Sequence, residues 1–173
     1  MRYVALVRGI NVGGHKKFPK AAQLQLLERL GYSEIDIYIH TGNWIFTSNK
    51  SAHILQKEIE QEITKTYQWE VPVVIITELD FKEIVQQCPF STDKRDQSCF
   101  AFFQKKLSKE KVDALRTISF SKEELIVNNR CVYLFFDKGA GKAKCSNNYL
   151  EKITQIPATS RNFRTVSALF KKL

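Results

Sequence analysis

A chain of 173 residues is long enough for one domain or for two small ones. Its 43% hydrophobic and 26% charged residues exclude an intrinsically disordered protein, and no apolar run approaches the length of a membrane span. The net charge of +9 falls entirely in residues 91–173, which hold 17 Lys and Arg against 8 Asp and Glu, whereas residues 1–90 hold 10 of each sign.

The first half of the sequence has the pattern of a small α+β domain. Apolar or alternating runs predict strands, and apolar residues that recur every three or four positions predict helices. The predicted elements are strand 2–7, helix 20–30, strand 34–40, strand 44–48, helix 51–67 and strand 71–76. This β-α-β-β-α-β order is that of a ferredoxin-like subdomain.

The second half gives a similar pattern that lacks its last strand. It follows a helix from Thr77, which ends before Pro89 and closes the first half, and the polar stretch 91–97, which predicts a linker. The later elements are strand 99–104, helix 108–115, strands 125–127 and 130–136, and helices 146–154 and 162–172. This βαββαα order predicts an incomplete or variant ferredoxin-like subdomain. We therefore expect an α+β fold with subdomains 1–90 and 91–173 packed together as one compact unit.

The glycine-rich loop that follows the first strand, residues 8–14, is the leading candidate for a ligand contact; it is called the opening loop below. Its glycines are Gly9, Gly13 and Gly14. Glycines let the backbone approach a ligand closely, and successive N–H groups can form an anion-binding nest. Arg8 adds a charge, and Asn11 can donate and accept hydrogen bonds. The spacing G-x-x-x-G-G is not a dinucleotide-binding fingerprint, and a tight structural turn is the alternative.

The turn between the second and third strands is a second candidate. Thr41 and Asn43 flank Gly42 in this turn and are secondary candidates for ligand binding. We expect the first and third strands to run parallel and the second to run against them, which places the turn at the sheet end away from the opening loop. A purely structural turn is the alternative.

A third candidate lies at 159–162, where the last helix is predicted to begin with Thr159 or Asn162 as its N-cap. A helix N-terminus beside Arg161 favours an anion, so Arg161 and Asn162 join the candidate ligand-binding residues. A helix cap with a salt bridge is the alternative. Because clefts between domains often bind ligands, we expect these residues and the opening loop to meet at the subdomain junction.

A basic glycine-containing loop at 138–144 adds two secondary candidates for a phosphate contact, Lys142 and Lys144. It is not a Walker A motif, because Phe136 stands where that motif needs glycine and Ala143 where it needs Ser or Thr.

The sequence predicts neither a cofactor nor a metal site. The three histidines lack metal-ligand spacing, and neither a nucleophile elbow nor an H-E-x-x-H motif is present, so enzymatic activity is left open. The four cysteines form no C-x-x-C pair, and the N-terminal residues lack the apolar stretch of a signal peptide. We expect reduced thiols and a cytoplasmic protein with no membrane partner.

Three separated motifs resemble the domain of unknown function 1697 family, an uncharacterised bacterial-type family. They are RGINVGG near the start, YIHTGN at 38–43, and TSRN at 159–162 followed by Thr165. The family pattern reads RGINVGG, Y-I-Q-S-G-N and T-x-R-N-x-x-T, so His40 and Thr41 replace the usual Gln and Ser. The resemblance spans essentially the whole chain. It implies an α+β fold of two small subdomains and no particular activity.

The sequence leaves three functions open. The leading interpretation is a protein that binds a phosphorylated or otherwise anionic small molecule, with or without enzymatic activity. The second is a nucleic-acid-binding protein that uses the basic second half. The third is a structural or protein-interaction module. The sequence assigns no oligomeric state.

Overall fold

Buried apolar runs form most strands of two four-stranded antiparallel sheets in this mixed α+β protein. The computed structural model describes residues 1–137, 139, 141 and 143–173. Internal contacts divide the chain into two units: unit 1 is Met1–Lys82 with Leu169–Leu173, and unit 2 is Glu83–Ala168. The predicted α+β class is confirmed, with one ferredoxin-like sheet in each unit.

Unit 1 follows the predicted element order. Its elements are β1 Arg2–Val7, α1 Lys20–Arg29, β2 Ser33–Ile37, β3 Asn43–Thr47, α2 Ala52–Tyr67 and β4 Val73–Thr77, followed by α3 Glu78–Gln86. The strand order in the sheet is β2-β3-β1-β4. Strand β3 is antiparallel to both β1 and β2, so β1 and β2 run parallel to each other.

This strand direction corrects the predicted position of the turn 41–43. The prediction that the first and third strands run parallel is wrong, because β1 and β3 pair antiparallel from Arg2 opposite Thr47 to Leu6 opposite Asn43. Because β1 and β2 run parallel, their C-terminal ends lie at the same end of the sheet. The turn that follows β2 therefore lies beside the opening loop and not at the far end.

One face of this sheet carries the apolar core of unit 1. Alternate residues of β1 and β3 point to the same face because side chains alternate along a strand. Trp44 and Phe46 are fully buried on this face, and the Phe46 ring stacks on Tyr32 with 4.5 Å between ring centroids. Helix α2 adds the fully buried Leu55 and Ile59, whose four-residue spacing places both on the sheet-facing side. Each such side chain contributes roughly 2 kcal/mol when it is fully buried.

Unit 2 contains the strand that the sequence did not predict. Its elements are α4 Thr92–Arg95, β5 Ser98–Phe103, α5 Lys109–Arg116, β6 Glu123–Val127, β7 Cys131–Phe136, α6 Asn147–Thr154 and β8 Ala158–Asn162. Helix α7, Phe163–Lys172, begins in unit 2 and ends in the segment Leu169–Leu173 of unit 1. The strand order is β6-β7-β5-β8. The prediction that the last strand is missing is wrong, because β8 pairs antiparallel with β5 from Ala158 opposite Phe103 to Asn162 opposite Cys99. The complete order is βαββαβ, and α7 follows it.

Both units hold their first and fourth strands with the same hydrogen bonds. The residue after the first strand donates to a proline carbonyl just before the fourth strand, from Arg8 to Pro72 and from Gln104 to Pro157, each at 3.0 Å. A helix glutamate also accepts from the first N–H of the fourth strand. The pairs are Val73 to Glu60 at 2.9 Å and Ala158 to Glu151 at 2.7 Å.

Candidate functional site

The opening loop ends in a narrow, exposed hairpin. Val12 pairs with His15, and the N–H of His15 donates to the carbonyl oxygen of Val12 at 3.1 Å. Gly13 and Gly14 form the tip, with φ of +60° and +79°. A two-residue hairpin of this type requires positive φ at both positions, which glycine adopts without strain. All four residues are exposed, so the backbone at this tip faces solvent.

Asn11 ties the opening loop to its neighbours. Its side-chain Nδ2 donates to the carbonyl oxygens of Phe18 at 2.8 Å and His40 at 2.6 Å, and its Oδ1 accepts from the N–H of Phe18 at 2.8 Å. Both amide donors are therefore used inside the protein. Asn11 positions the loop against the start of α1 and against the turn 41–43.

Gln23 is a structural residue of this region that the sequence analysis missed. It is fully buried on α1, where its Nε2 donates to Phe18 at 2.7 Å and to His40 at 2.8 Å. Its Oε1 accepts from the indole Nε1 of Trp44 at 2.5 Å. The sequence does contain a signal that Gln23 is buried. It precedes Leu26 by three residues and Leu27 by four, which places it on the apolar side of the predicted helix.

The turn 41–43 is joined directly to the end of β1. The N–H of Val7 donates to the carbonyl oxygen of Gly42 at 2.8 Å. Asn43 is fully buried, and its Nδ2 donates to the Tyr38 carbonyl at 3.3 Å and to the Thr41 hydroxyl at 3.2 Å. The structure therefore brings Thr41 and Asn43 together with the opening loop, where they hold the backbone that supports it.

The opening loop lies in a cationic part of the sequence. Residues 1–27 contain no Asp or Glu and five Lys or Arg. The ammonium of Lys16 donates to the carbonyl oxygen of Glu70 at 2.9 Å, so it adds charge without pairing with that carboxylate. Within residues 1–137, 139, 141 and 143–173, the N–H groups of Gly9, Gly13 and Gly14 have no protein acceptor. The loop thus combines unpaired backbone donors with positive charge.

Arg161 and Asn162 lie in unit 2, at the end of β8. The Nη1 of Arg161 donates to the Thr159 hydroxyl at 2.8 Å and to the Ser160 carbonyl at 2.9 Å. Burial lowers the pKa of Arg161 to about 10, which leaves the guanidinium charged at neutral pH. Asn162 is the N-cap of α7, because its Oδ1 accepts from the N–H of Thr165 at 2.9 Å. The prediction that Thr159 and Arg161 open this helix is wrong, since both belong to β8.

Lys144 borders a cavity of about 350 Å³ in unit 2, which Ser119 and Lys122 also line. The backbone donors beside Lys144 already hold an anion of the protein itself. The N–H groups of Lys144 and Cys145 donate to the Glu123 carboxylate at 2.6 and 2.9 Å. Lys142, the other predicted phosphate contact of this loop, lies outside the described residues.

Comparison with known families now places the chain. A family model described as protein of unknown function (DUF1697) matches residues 1–133, which include the opening loop and the turn 41–43. The chain belongs to the DUF1697 family. The resemblance inferred from the three sequence motifs is thereby confirmed.

One solved structure extends the DUF1697 comparison to nearly the whole chain. A conserved bacterial protein from Streptococcus pneumoniae is 25% identical, with a TM-score of 0.79, and the match covers 98% of this chain and 97% of that one. No curated protein matches the chain. The described fold of this DUF1697 chain is therefore shared with a bacterial protein.

The described part of this DUF1697 chain contains no metal-type cluster, disulfide or membrane-spanning helix. No group of three or more His, Cys, Asp or Glu in it has the arrangement of a metal site. Its four cysteines are unpaired thiols. No helix among the described residues has the length and apolar character needed to cross a bilayer.

Proposed function

We propose that this DUF1697 protein binds a small phosphorylated or otherwise anionic molecule at the opening loop of unit 1. The observation that carries the proposal is the set of unpaired N–H groups at Gly9, Gly13 and Gly14 in a stretch that lacks any carboxylate. Adjacent backbone N–H groups such as those of Gly13 and Gly14 attract anions, and nearby cations strengthen the attraction.

The proposal gives the residues of the loop different tasks. The glycine N–H groups and the positive charges of Arg8, Lys16 and Lys17 attract the anion. Asn11 holds the loop in place through its bonds to Phe18 and His40, so we assign it no direct contact with the ligand. The four unpaired thiols fit a reducing compartment, and we propose a cytoplasmic location on that ground.

Inorganic pyrophosphate is the first probe for this site, with thermal unfolding as the measurement. A molecule that binds only the folded protein raises its stability, by about 2.7 kcal/mol at a concentration 100 times the dissociation constant. We expect pyrophosphate to raise the melting temperature, and Lys17→Ala to weaken that rise by removing a charge beside the loop. Lys57→Ala, an exposed lysine on α2, is the matched control and should behave as the wild type.

The same titration separates the proposal from the other functions. If pyrophosphate leaves the wild-type melting temperature unchanged at millimolar concentration, the proposed function is wrong. Nucleic acid is the second candidate because Lys105, Lys106, Lys109 and Lys111 cluster around the start of α5 in unit 2. An oligonucleotide whose affinity falls steeply with salt and is insensitive to Lys17→Ala would support that candidate. Binding of neither probe would favour an interaction module.

A further inference from the structure

Two aromatic rings lie beside the opening loop. The rings of Tyr67 and Trp69 stack with 4.6 Å between centroids and 18° between planes, and both side chains are only partly buried. The buried ring of Phe18 supports them, at 4.9 Å from Tyr67 and 6.3 Å from Trp69. The Tyr67 hydroxyl and the Trp69 indole N–H have no hydrogen-bond partner in the part of the chain that the structure describes. The pair is thus an aromatic surface with unused polar edges.

Two hydrogen bonds fix this aromatic pair next to the cationic loop. The N–H of Arg8 donates to Pro72 at 3.0 Å, and the ammonium of Lys16 donates to Glu70, the residue after Trp69, at 2.9 Å. Phe18 joins the same two segments, because its backbone bonds Asn11 while its ring packs on the pair. The positive charge of the loop and the aromatic surface therefore lie side by side within unit 1.

We propose that the opening loop and the Tyr67–Trp69 pair together bind a nucleoside phosphate, with the phosphate on the loop and the base against the aromatic rings. The inference rests on the proposed function, which supplies the phosphate position, and it adds the chemical class of the ligand. Aromatic side chains stack on the flat faces of bases, and the free indole N–H and hydroxyl can reach polar atoms on a base edge. The opening loop itself carries no carboxylate, and its positive charge suits a phosphate.

Isothermal titration of the wild-type protein with ADP and with inorganic pyrophosphate tests the inference. We expect ADP to bind about tenfold more tightly than pyrophosphate, since stacking of one base commonly provides a factor of this size. Trp69→Leu should bring the ADP affinity down to that of pyrophosphate and leave pyrophosphate binding unchanged. Phe135→Leu, which removes a partly buried ring in unit 2, is the matched control.

A second measurement needs no variant. Trp44 is fully buried and Trp69 is partly exposed, so a change of tryptophan emission on ligand addition reports mainly on Trp69. We expect ADP to quench this emission and pyrophosphate to leave it unchanged. Equal affinity for ADP and pyrophosphate, or ADP binding without quenching, would overturn the nucleoside assignment while anion binding stands. Absence of binding by both phosphates would overturn the assignment and the proposed function together.

Discussion

Gly42 shows how a single residue joins the turn 41–43 to the strand that leads into the opening loop. Its φ is +78°, and a Cβ atom placed on it would lie 2.7 Å from the Cβ of Val7 and 2.9 Å from the Val7 carbonyl oxygen. No side chain fits at that distance from backbone. The absence of a Cβ is therefore what allows the turn 41–43 to contact the end of β1, where the opening loop begins.

Replacing Gly42 should lower the free energy of unfolding by more than the strain from its positive φ alone. We expect Gly42→Ala to lower the free energy of unfolding by about 3 kcal/mol, from left-handed strain plus a steric clash. Gly31→Ala is the matched control, because Gly31 has nearly the same φ, +77°, and open space around it. Its expected loss is about 1 kcal/mol, from strain alone. Urea unfolding followed by circular dichroism measures both, and equal losses would contradict the steric argument.

The sequence predicted the turns of unit 1 better than it predicted their side-chain contacts. The two glycine-containing turns predicted from the sequence are present, and Gly9, Gly13, Gly14 and Gly42 all have the positive φ that glycine adopts without strain. The pairing of Asn11 and Gln23 with His40 could not be predicted, because His40 lies 29 and 17 residues away in the chain. Such distant pairings depend on the fold and leave no local pattern in the sequence.

The first turn of helix α7 depends on one side chain. The Oδ1 of Asn162 accepts from the N–H of Thr165, which satisfies a backbone donor that a helix start otherwise leaves unpaired. We expect Asn162→Ala to lower the unfolding free energy by about 1 kcal/mol. Asn162→Asp keeps the acceptor oxygen and should lose less. Urea midpoints distinguish the two, and an equal loss for Ala and Asp would show that the cap does not stabilise the helix.

The same segment explains why one strand was missed. The sequence of β8 is ATSRN, which has no apolar alternation and ends in good helix-capping residues, so it favours a helix start over a strand. It becomes a strand because it pairs with β5, and that pairing is not visible locally. The interior strands were predicted because burial imposes apolar runs on them. The direction of β3 was predicted wrongly: the connection through α1 makes β1 and β2 parallel, and the hairpin after β2 turns β3 against both.

The folded molecule as a whole should lose stability in alkaline solution. Burial raises the pKa of Cys99 to about 11, and burial with the nearby Glu123 raises that of Cys145 to about 12. Burial also raises the pKa values of Cys131, Tyr32 and Tyr133. The folded state therefore keeps protons that the unfolded chain releases from about pH 9 upward. Stability is fully present below that pH and declines as the pH rises towards the folded-state values.

Urea midpoints at pH 8 and pH 10.5 measure this decline. For Cys145 alone the expected loss at the higher pH is about 2 kcal/mol, since each pKa unit corresponds to about 1.4 kcal/mol. Cys145→Ala removes this contribution, so its midpoint should fall less between the two pH values than that of the wild type. A wild-type midpoint that does not change between pH 8 and 10.5 would contradict the prediction.

Because the two sheets share the same hydrogen bonds, each unit of the chain can serve as a control for the other. The two units share the same order of strands in the sheet. In each, a proline carbonyl accepts from the residue after the first strand, and a helix glutamate accepts from the first N–H of the fourth strand. These shared devices belong to the scaffold. The loop after β5, residues 104–108, has no glycine, whereas the loop after β1 has three. Replacing residues 104–108 by the opening loop would therefore show, in one polypeptide, which properties come from the shared fold and which come from the glycine-rich loop.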